Sequence, residues 1–247
     1  MNSTVIKNSR KSCVKIYSIQ GQSVGTGFFI SDELIATCFH VVAKIEADGT
    51  NINWSIFQDL TIVTENGENV SATCISIPNN ISSEPLFQDF AILKTIKKVK
   101  DIAILPLSKK LTHNITETIM FSGYPLGTPI MVSHVGTISG ITKDKSLISV
   151  QASTNKGNSG GALINKEGEV IGIISLREGG ISAELQSYLK RINDTQSQGS
   201  IEIMGINPLQ ATKETITILD KYISTGIGYA RNISFLQNYI SKNGIKL

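Results

Sequence analysis

Short runs in which apolar and polar positions alternate dominate the chain: CVKIYSI, VGTGFFI, LIATCFHVV, WSIFQDLTIVT, VSATCISI, FAILKTI and IAILPL. After a polar stretch the same texture resumes with TIMFSGY, VSHVGTISGI, SLISVQA, GALIN, EVIGIISL and TGIGYARNI. Turn-forming pairs separate many of these runs, among them Asp48-Gly49, Asn66-Gly67, Asp144-Lys145 and Glu167-Gly168. Repeated short strands with little helical periodicity predict an all-β sandwich or barrel. Helical spacing enters late. Ile181, Leu185, Tyr188, Leu189 and Ile192 share one helical face, which must pack on something. Asn207-Pro208 suits the cap and first turn of a second helix, although Thr215 to Ile218 also alternates as a strand would. In the last segment Phe235 pairs with Tyr239 and Leu236 with Ile240, and Gly244 suits a helix stop.

At 247 residues the chain suits one large domain or two small lobes. Its 40% hydrophobic and 17% charged content is that of an ordinary globular protein, and a net charge of +3 points to no partner. Lys94, Lys97, Lys98 and Lys100 read as a solvated edge, with no interleaved aromatics to suggest nucleic acid. Cys13, Cys38 and Cys74 contain no C-x-x-C pair and leave a thiol over under any disulfide scheme, which favours a reducing compartment. The sequence as given has neither a signal-peptide core nor an apolar run long enough to span a bilayer, so a cytoplasmic location without membrane contact is expected.

KGNSGGAL, residues 156–163, carries the chemistry. Gly157-Asn158-Ser159-Gly160-Gly161 satisfies the G-x-S-x-G elbow of α/β-hydrolases and also resembles the nucleophile loop of trypsin-like serine proteases. A serine hydroxyl needs a general base, usually a histidine oriented by a carboxylate. The chain has three histidines, His40, His113 and His134, and all precede Ser159. The α/β-hydrolase order of Ser, acid, His is therefore impossible, whereas His, Asp, Ser remains open.

His40 has the informative setting. Gly25-Thr26-Gly27-Phe28-Phe29-Ile30 followed by Thr37-Cys38-Phe39-His40-Val41-Val42 resembles the HtrA/DegP branch of trypsin-like proteases. His113, in the polar stretch from Lys110 to Thr116, reads as a surface loop residue, and His134 as a structural or exposed strand residue. Two aspartates match the family's acid strand, in Asp89-Phe90-Ala91-Ile92-Leu93 and in Asp101-Ile102-Ala103-Ile104-Leu105. Asp89 is favoured because it leaves room for the further strand that the family places before the turn resembled here by Ser122 to Gly127. The resemblance continues through Gly160 to Ile173 and returns at Gly226-Ile227-Gly228-Tyr229-Ala230.

The resemblance implies two antiparallel six-stranded β-barrels, residues 12–108 and 109–233, and a C-terminal helix at 234–244, while the helical spacing noted above predicts a helical insertion at 177–224 in the second barrel. It implies His40, Asp89 and Ser159 as a catalytic triad and the N–H groups of Gly157 and Ser159 as an oxyanion hole. Ser153 would lie at the base of the S1 pocket, with Ile173, Ile174, Ser175 and Gly226 along the bound substrate. The expected activity is that of a serine endopeptidase acting on protein or peptide substrates, without cofactor or metal. A catalytically silent module of the same fold and an esterase using the same triad are the rivals.

Two departures from relatives stand out. Asn158 replaces the aspartate with which zymogen-type trypsins bind a new N-terminus, so activation by such cleavage is not expected. Residues 177–224 stand where HtrA relatives need only a short connection, and no PDZ domain is expected in the sequence as given. The insertion either gates the cleft or receives a regulatory partner, or it is an excursion packed on the outer barrel.

Overall fold

The computed structural model describes residues 1–48, 51–78, 85–110, 112–126, 128–177, 183–196, 202–222 and 226–247. Helix α1 (Ser3–Ser12) opens the chain, capped by the Asn2 side chain, which accepts from the Val5 N–H at 2.9 Å. Then come β1 (Cys13–Ser18), β2 (Ser23–Phe29), β3 (Leu34–Thr37), the one-turn helix α2 (Phe39–Val42), β4 (Ala43–Asp48), β5 (Asn51–Ile56), β6 (Thr61–Thr64), β7 (Asn69–Ser76), the one-turn helix α3 (Pro85–Gln88) and β8 (Ala91–Thr95). Antiparallel pairing in the order β1, β2, β3, β8, β7, β6 closes a six-stranded barrel, and β4 with β5 forms a separate two-stranded sheet. Closure leaves no open strand edge.

The second barrel is built from β9 (Thr118–Gly123), β10 (Val132–Ile141), β11 (Leu147–Gln151), β12 (Ala162–Ile164), β13 (Val170–Arg177) and β14 (Ile227–Asn232), closed in the order β10, β11, β14, β13, β12, β9. The fold is thus all-β, with two six-stranded antiparallel barrels. Phe28, Phe29, Ile35, Phe90 and Ile92 fill the first barrel, and Ile119, Phe121, Ile148 and Leu163 the second. The terminal helix, α6 (Ser234–Lys242), joins the first core through Leu236 and Ile240, and its Tyr239 meets the Phe90 ring edge-on at 5.3 Å.

Residues Glu178–Thr225 form a second compact unit. In it α4 (Ala183–Gln196) packs against α5 (Pro208–Tyr222), and Ile192 and Ile216 are buried. Asn207 caps α5 by accepting from the Gln210 N–H at 3.0 Å. The Thr215 and Thr217 hydroxyls donate to carbonyls four residues back, at 2.9 and 2.7 Å, so the alternating Thr215 to Ile218 stretch is helical. On α4 the expected apolar face is only partly covered: Ile192 is buried and Leu189 half-buried, but Leu185 and Tyr188 are exposed.

Two other expectations are corrected. The alternating pattern did not predict α1, whose polar sequence conceals a cap and a single buried apolar residue, Val5. Among the described residues the IAILPL run joins a sheet only through one parallel bridge, Leu107 to Val170; Asp101, just before it, has φ +54° and pairs with Lys11.

Candidate active site

His40 lies on α2, directly after β3. Its neighbours Phe39, Val41 and Val42 are buried, which anchors the turn and leaves the imidazole as its accessible side chain, 29% exposed. Asp89 lies between α3 and β8 and is fully buried. Its φ of +36° is in the left-handed region that a side chain disfavours, a cost of about 1 kcal/mol met by its contacts. The register of β8 on β3 pairs Ala91 with Thr37, which brings the start of one strand to the end of the other. The Asp89 carboxylate consequently lies 2.9 Å (Oδ2) and 3.0 Å (Oδ1) from His40 Nδ1, and Oδ1 accepts the His40 backbone N–H at 3.2 Å.

A third donor comes from the second barrel. The β13–β14 ladder shifts register between Ile174 and Leu176, freeing Ser175 from regular pairing, and the Ser175 hydroxyl donates to Asp89 Oδ2. Three donors thus surround a carboxylate removed from water, the condition under which a buried charge is tolerable. Burial pushes the His40 imidazole towards its neutral form, but the charge and hydrogen bond of Asp89 outweigh this and hold its pKa above the usual histidine value.

Ser159 reaches the same place through β2. The Thr26 N–H donates to the Ser159 carbonyl at 2.8 Å, and the Thr26 hydroxyl donates to the Gly157 carbonyl at 2.6 Å. Gly160 follows with φ +90°, where a Cβ would lie 1.9 Å from the Thr26 carbonyl oxygen. Gly157, φ +95°, is packed as tightly, its missing Cβ 2.3 Å from the Tyr124 carbonyl oxygen. Only glycine fits either position. The bonds tie up the carbonyls of the loop but not all of its donors: the N–H groups of Gly157 and Ser159 find no acceptor among the described residues. The Ser159 hydroxyl donates to the Ser175 carbonyl at 3.1 Å and makes no hydrogen bond with His40.

The other sequence-derived residues fall around this centre. Ile173, Ile174 and Ser175 are buried on β13. Gly226 has φ +75° and its carbonyl accepts the Ala152 N–H at 2.9 Å. Ser153 is exposed; its neighbour Thr154 is the buried side chain, donating to the Ile227 carbonyl at 3.2 Å. Thr154 lies so close to Gly228 that a Cβ there would meet its methyl group at 2.3 Å. Asp101 stands apart, 58% exposed and paired with Lys11. His113 is not the surface side chain expected from its polar neighbours: its ring is 2% exposed, folded in beside Glu117. His134 stacks on Phe121 at 4.8 Å. Sequence reasoning missed Thr26 and the role of Ser175 toward Asp89, because both act through long-range pairing that no local pattern encodes. It also missed Cys38, whose fully buried thiol donates to the Ile174 carbonyl at 3.1 Å.

Two closed antiparallel barrels with a histidine and an aspartate from one and a glycine-flanked serine from the other define a chymotrypsin-type fold. The family model of the trypsin-like peptidase domain matches residues 25–173, more than half of the chain, and the chain belongs to that family. Among its relatives, "Serine protease HtrA-like" of Staphylococcus haemolyticus (strain JCSC1435) is 30% identical over 62% of this chain and 24% of its own length. "Serine protease Do-like HtrA" of Lactococcus lactis subsp. cremoris (strain MG1363) is 27% identical over 84% of this chain and 47% of its own. The chain therefore spans less than half the length of these relatives. The structure resembles that of Rv3671c from M. tuberculosis H37Rv in an inactive form, with a TM-score of 0.60 at 18% identity, covering 98% of this chain and 91% of the other.

Proposed function

We propose that the chain is a serine endopeptidase that works through an acyl-enzyme. The carrying observation is the fully buried Asp89 carboxylate on His40 Nδ1 at 2.9 Å, which keeps the proton on Nδ1 and presents Nε2 as a base. Ser159 leaves the Ser175 carbonyl, gives its proton to Nε2 and attacks the peptide carbonyl. The unspent N–H groups of Gly157 and Ser159 receive the oxyanion, each such donor contributing about 3 kcal/mol in the transition state. His40 then returns the proton to the leaving amine, and water releases the acyl group by the same steps in reverse. Protein or peptide segments are the proposed substrates, in keeping with the protease names of the relatives.

The Ser159 hydroxyl on the Ser175 carbonyl rather than on His40 favours a second reading, a silent binding module. A fluorophosphonate probe decides between them. Labelling of the wild type but not of Ser159→Ala or His40→Ala supports an activated serine, and a peptide library separates a peptidase from an esterase. No labelling of a folded wild type would leave the binding module.

A further inference from the structure

We propose that Cys38, His40 and Asp89 form a binding site for a thiophilic divalent cation, with Zn²⁺ as the probe, and that occupation of this site switches hydrolysis off. The inhibitory half rests on the reading of His40 as the base; the site itself does not. One ligand atom from each residue, a thiol sulfur, an imidazole nitrogen and a carboxylate oxygen, lies within 4.8 Å of the other two. A tetrahedral zinc ion bound at about 2.3 Å to sulfur and about 2.0–2.2 Å to nitrogen and oxygen holds its ligands roughly 3.3–3.6 Å apart. His40 Nδ1 and Asp89 Oδ2, at 2.9 Å, need to open slightly, and the sulfur, within 4.8 Å of both, to settle at the separation the ion sets. The ion enters past His40, whose side chain is 29% exposed and must swing to admit it, since Cys38 and Asp89 are both fully buried.

The charges balance on occupation. The Cys38 thiol of the empty cluster donates to the Ile174 carbonyl at 3.1 Å, a bond that the ion replaces, and the Asp89 carboxylate supplies one negative charge. An entering dication displaces the thiol proton to solvent, and its two charges are cancelled by thiolate and carboxylate. The result is an electrically neutral group in a dry place, with the S, N, O donor set that suits zinc and not magnesium or calcium. The imidazole loses no proton overall: ligation at Nδ1 moves its hydrogen to Nε2. An Nε2–H cannot accept the Ser159 proton, and the carboxylate that oriented the ring is spent on the ion. Inhibition follows from the tautomer alone.

Calorimetric titration of the chelator-treated chain with zinc chloride, in two buffers of different ionisation enthalpy, counts both ions and protons. One Cys38-dependent ion per chain is expected, with one proton released, and cleavage of a peptide substrate should be lost over the same zinc range. Cys38→Ala should weaken this binding by roughly tenfold or more and relieve the inhibition. Cys38→Ser, close to the native size, guards against a packing defect and should do the same. Cobalt in place of zinc should give a thiolate charge-transfer absorption in the wild type that both variants lack. Equal zinc affinity in wild type and variants, or cobalt binding without that absorption, overturns the site. A chain that binds zinc through Cys38 but cleaves nothing even after chelator treatment refutes the peptidase reading and leaves the site standing; an active enzyme that binds zinc through Cys38 without losing activity refutes the switch alone.

Discussion

Asp89 holds His40 twice, through the ring at 2.9 Å and through the backbone N–H at 3.2 Å, so one buried carboxylate fixes both the position of α2 and the orientation of the base it carries. Asp89→Asn should keep the packing but present an amide where a charge is needed, lowering kcat by about four orders of magnitude. Asp101→Asn, at a solvated ion pair with Lys11, should stay within about twofold of wild type. Steady-state kinetics on one peptide ranks the two, and the reverse order would move the acid to Asp101.

The working form of His40 is neutral, while Asp89 holds its pKa above the ordinary value. The acid limb of kcat/KM should therefore show an apparent pKa above about 6.5, with activity rising as His40 loses its proton. In Asp89→Asn the stabilising charge is gone and burial is left unopposed, so the limb of the residual activity should move to lower pH. A limb that stays in place would mean that another group is being titrated.

Substrate preference follows from what lines the proposed pocket. No acidic residue occurs between Val150 and Ser159 or between Ile173 and Leu176, and Thr154 is wedged against Gly228. A basic side chain would be buried there without a counter-ion. Small or medium uncharged residues before the cleaved bond are expected in a peptide-library profile. Efficient cleavage after Arg or Lys alone would refute this reading of the pocket.

Two glycines with similar backbone angles should respond differently to a methyl group. At Gly160, φ +90°, the new Cβ has the Thr26 carbonyl oxygen at 1.9 Å, and that oxygen also accepts the Thr37 hydroxyl at 2.7 Å and cannot yield cheaply. At Gly67, φ +81°, nothing lies within 4 Å and only the left-handed strain is added. Gly160→Ala should lower Tm by roughly 10 °C or prevent folding, and Gly67→Ala by about 3 °C. Thermal melts decide it; similar losses at both would show that the loop relaxes freely around Thr26.

The strands were legible because alternation is a local signal; the two barrels and the His40 and Ser159 segments were legible because the residues flanking both side chains resemble a family motif. The acid was harder. Asp89 and Asp101 head the same five-residue pattern, and what separates them is the pairing of Ala91 with Thr37, a contact over long sequence distance. Ser175 reads in the sequence as a residue along the bound substrate, and its hydroxyl reaches Asp89 from the register shift between Ile174 and Leu176, which no local pattern shows. His113 misled for the opposite reason, since polar neighbours marked the loop but not the fold of its ring beneath the surface.

The insertion poses the remaining question of control. Residues Glu178–Thr225 form a unit with buried contacts of its own, and the strands that carry it pair directly, Arg177 opposite Gly228. A ladder closed at that point does not need the insertion, so replacing residues 179–225 with a short Gly/Ser linker should leave the barrels folded, with Tm changed by only a few degrees. The roots of the insertion adjoin β13 and Gly226 in sequence, the segments proposed to border bound substrate. If the insertion admits or recruits substrates, deletion should change kcat/KM on a folded protein by about tenfold while a tripeptide substrate changes much less. Unchanged kinetics on both, in a stably folded deletion, would reduce the insertion to an excursion that the fold tolerates because lengthening a loop costs little entropy.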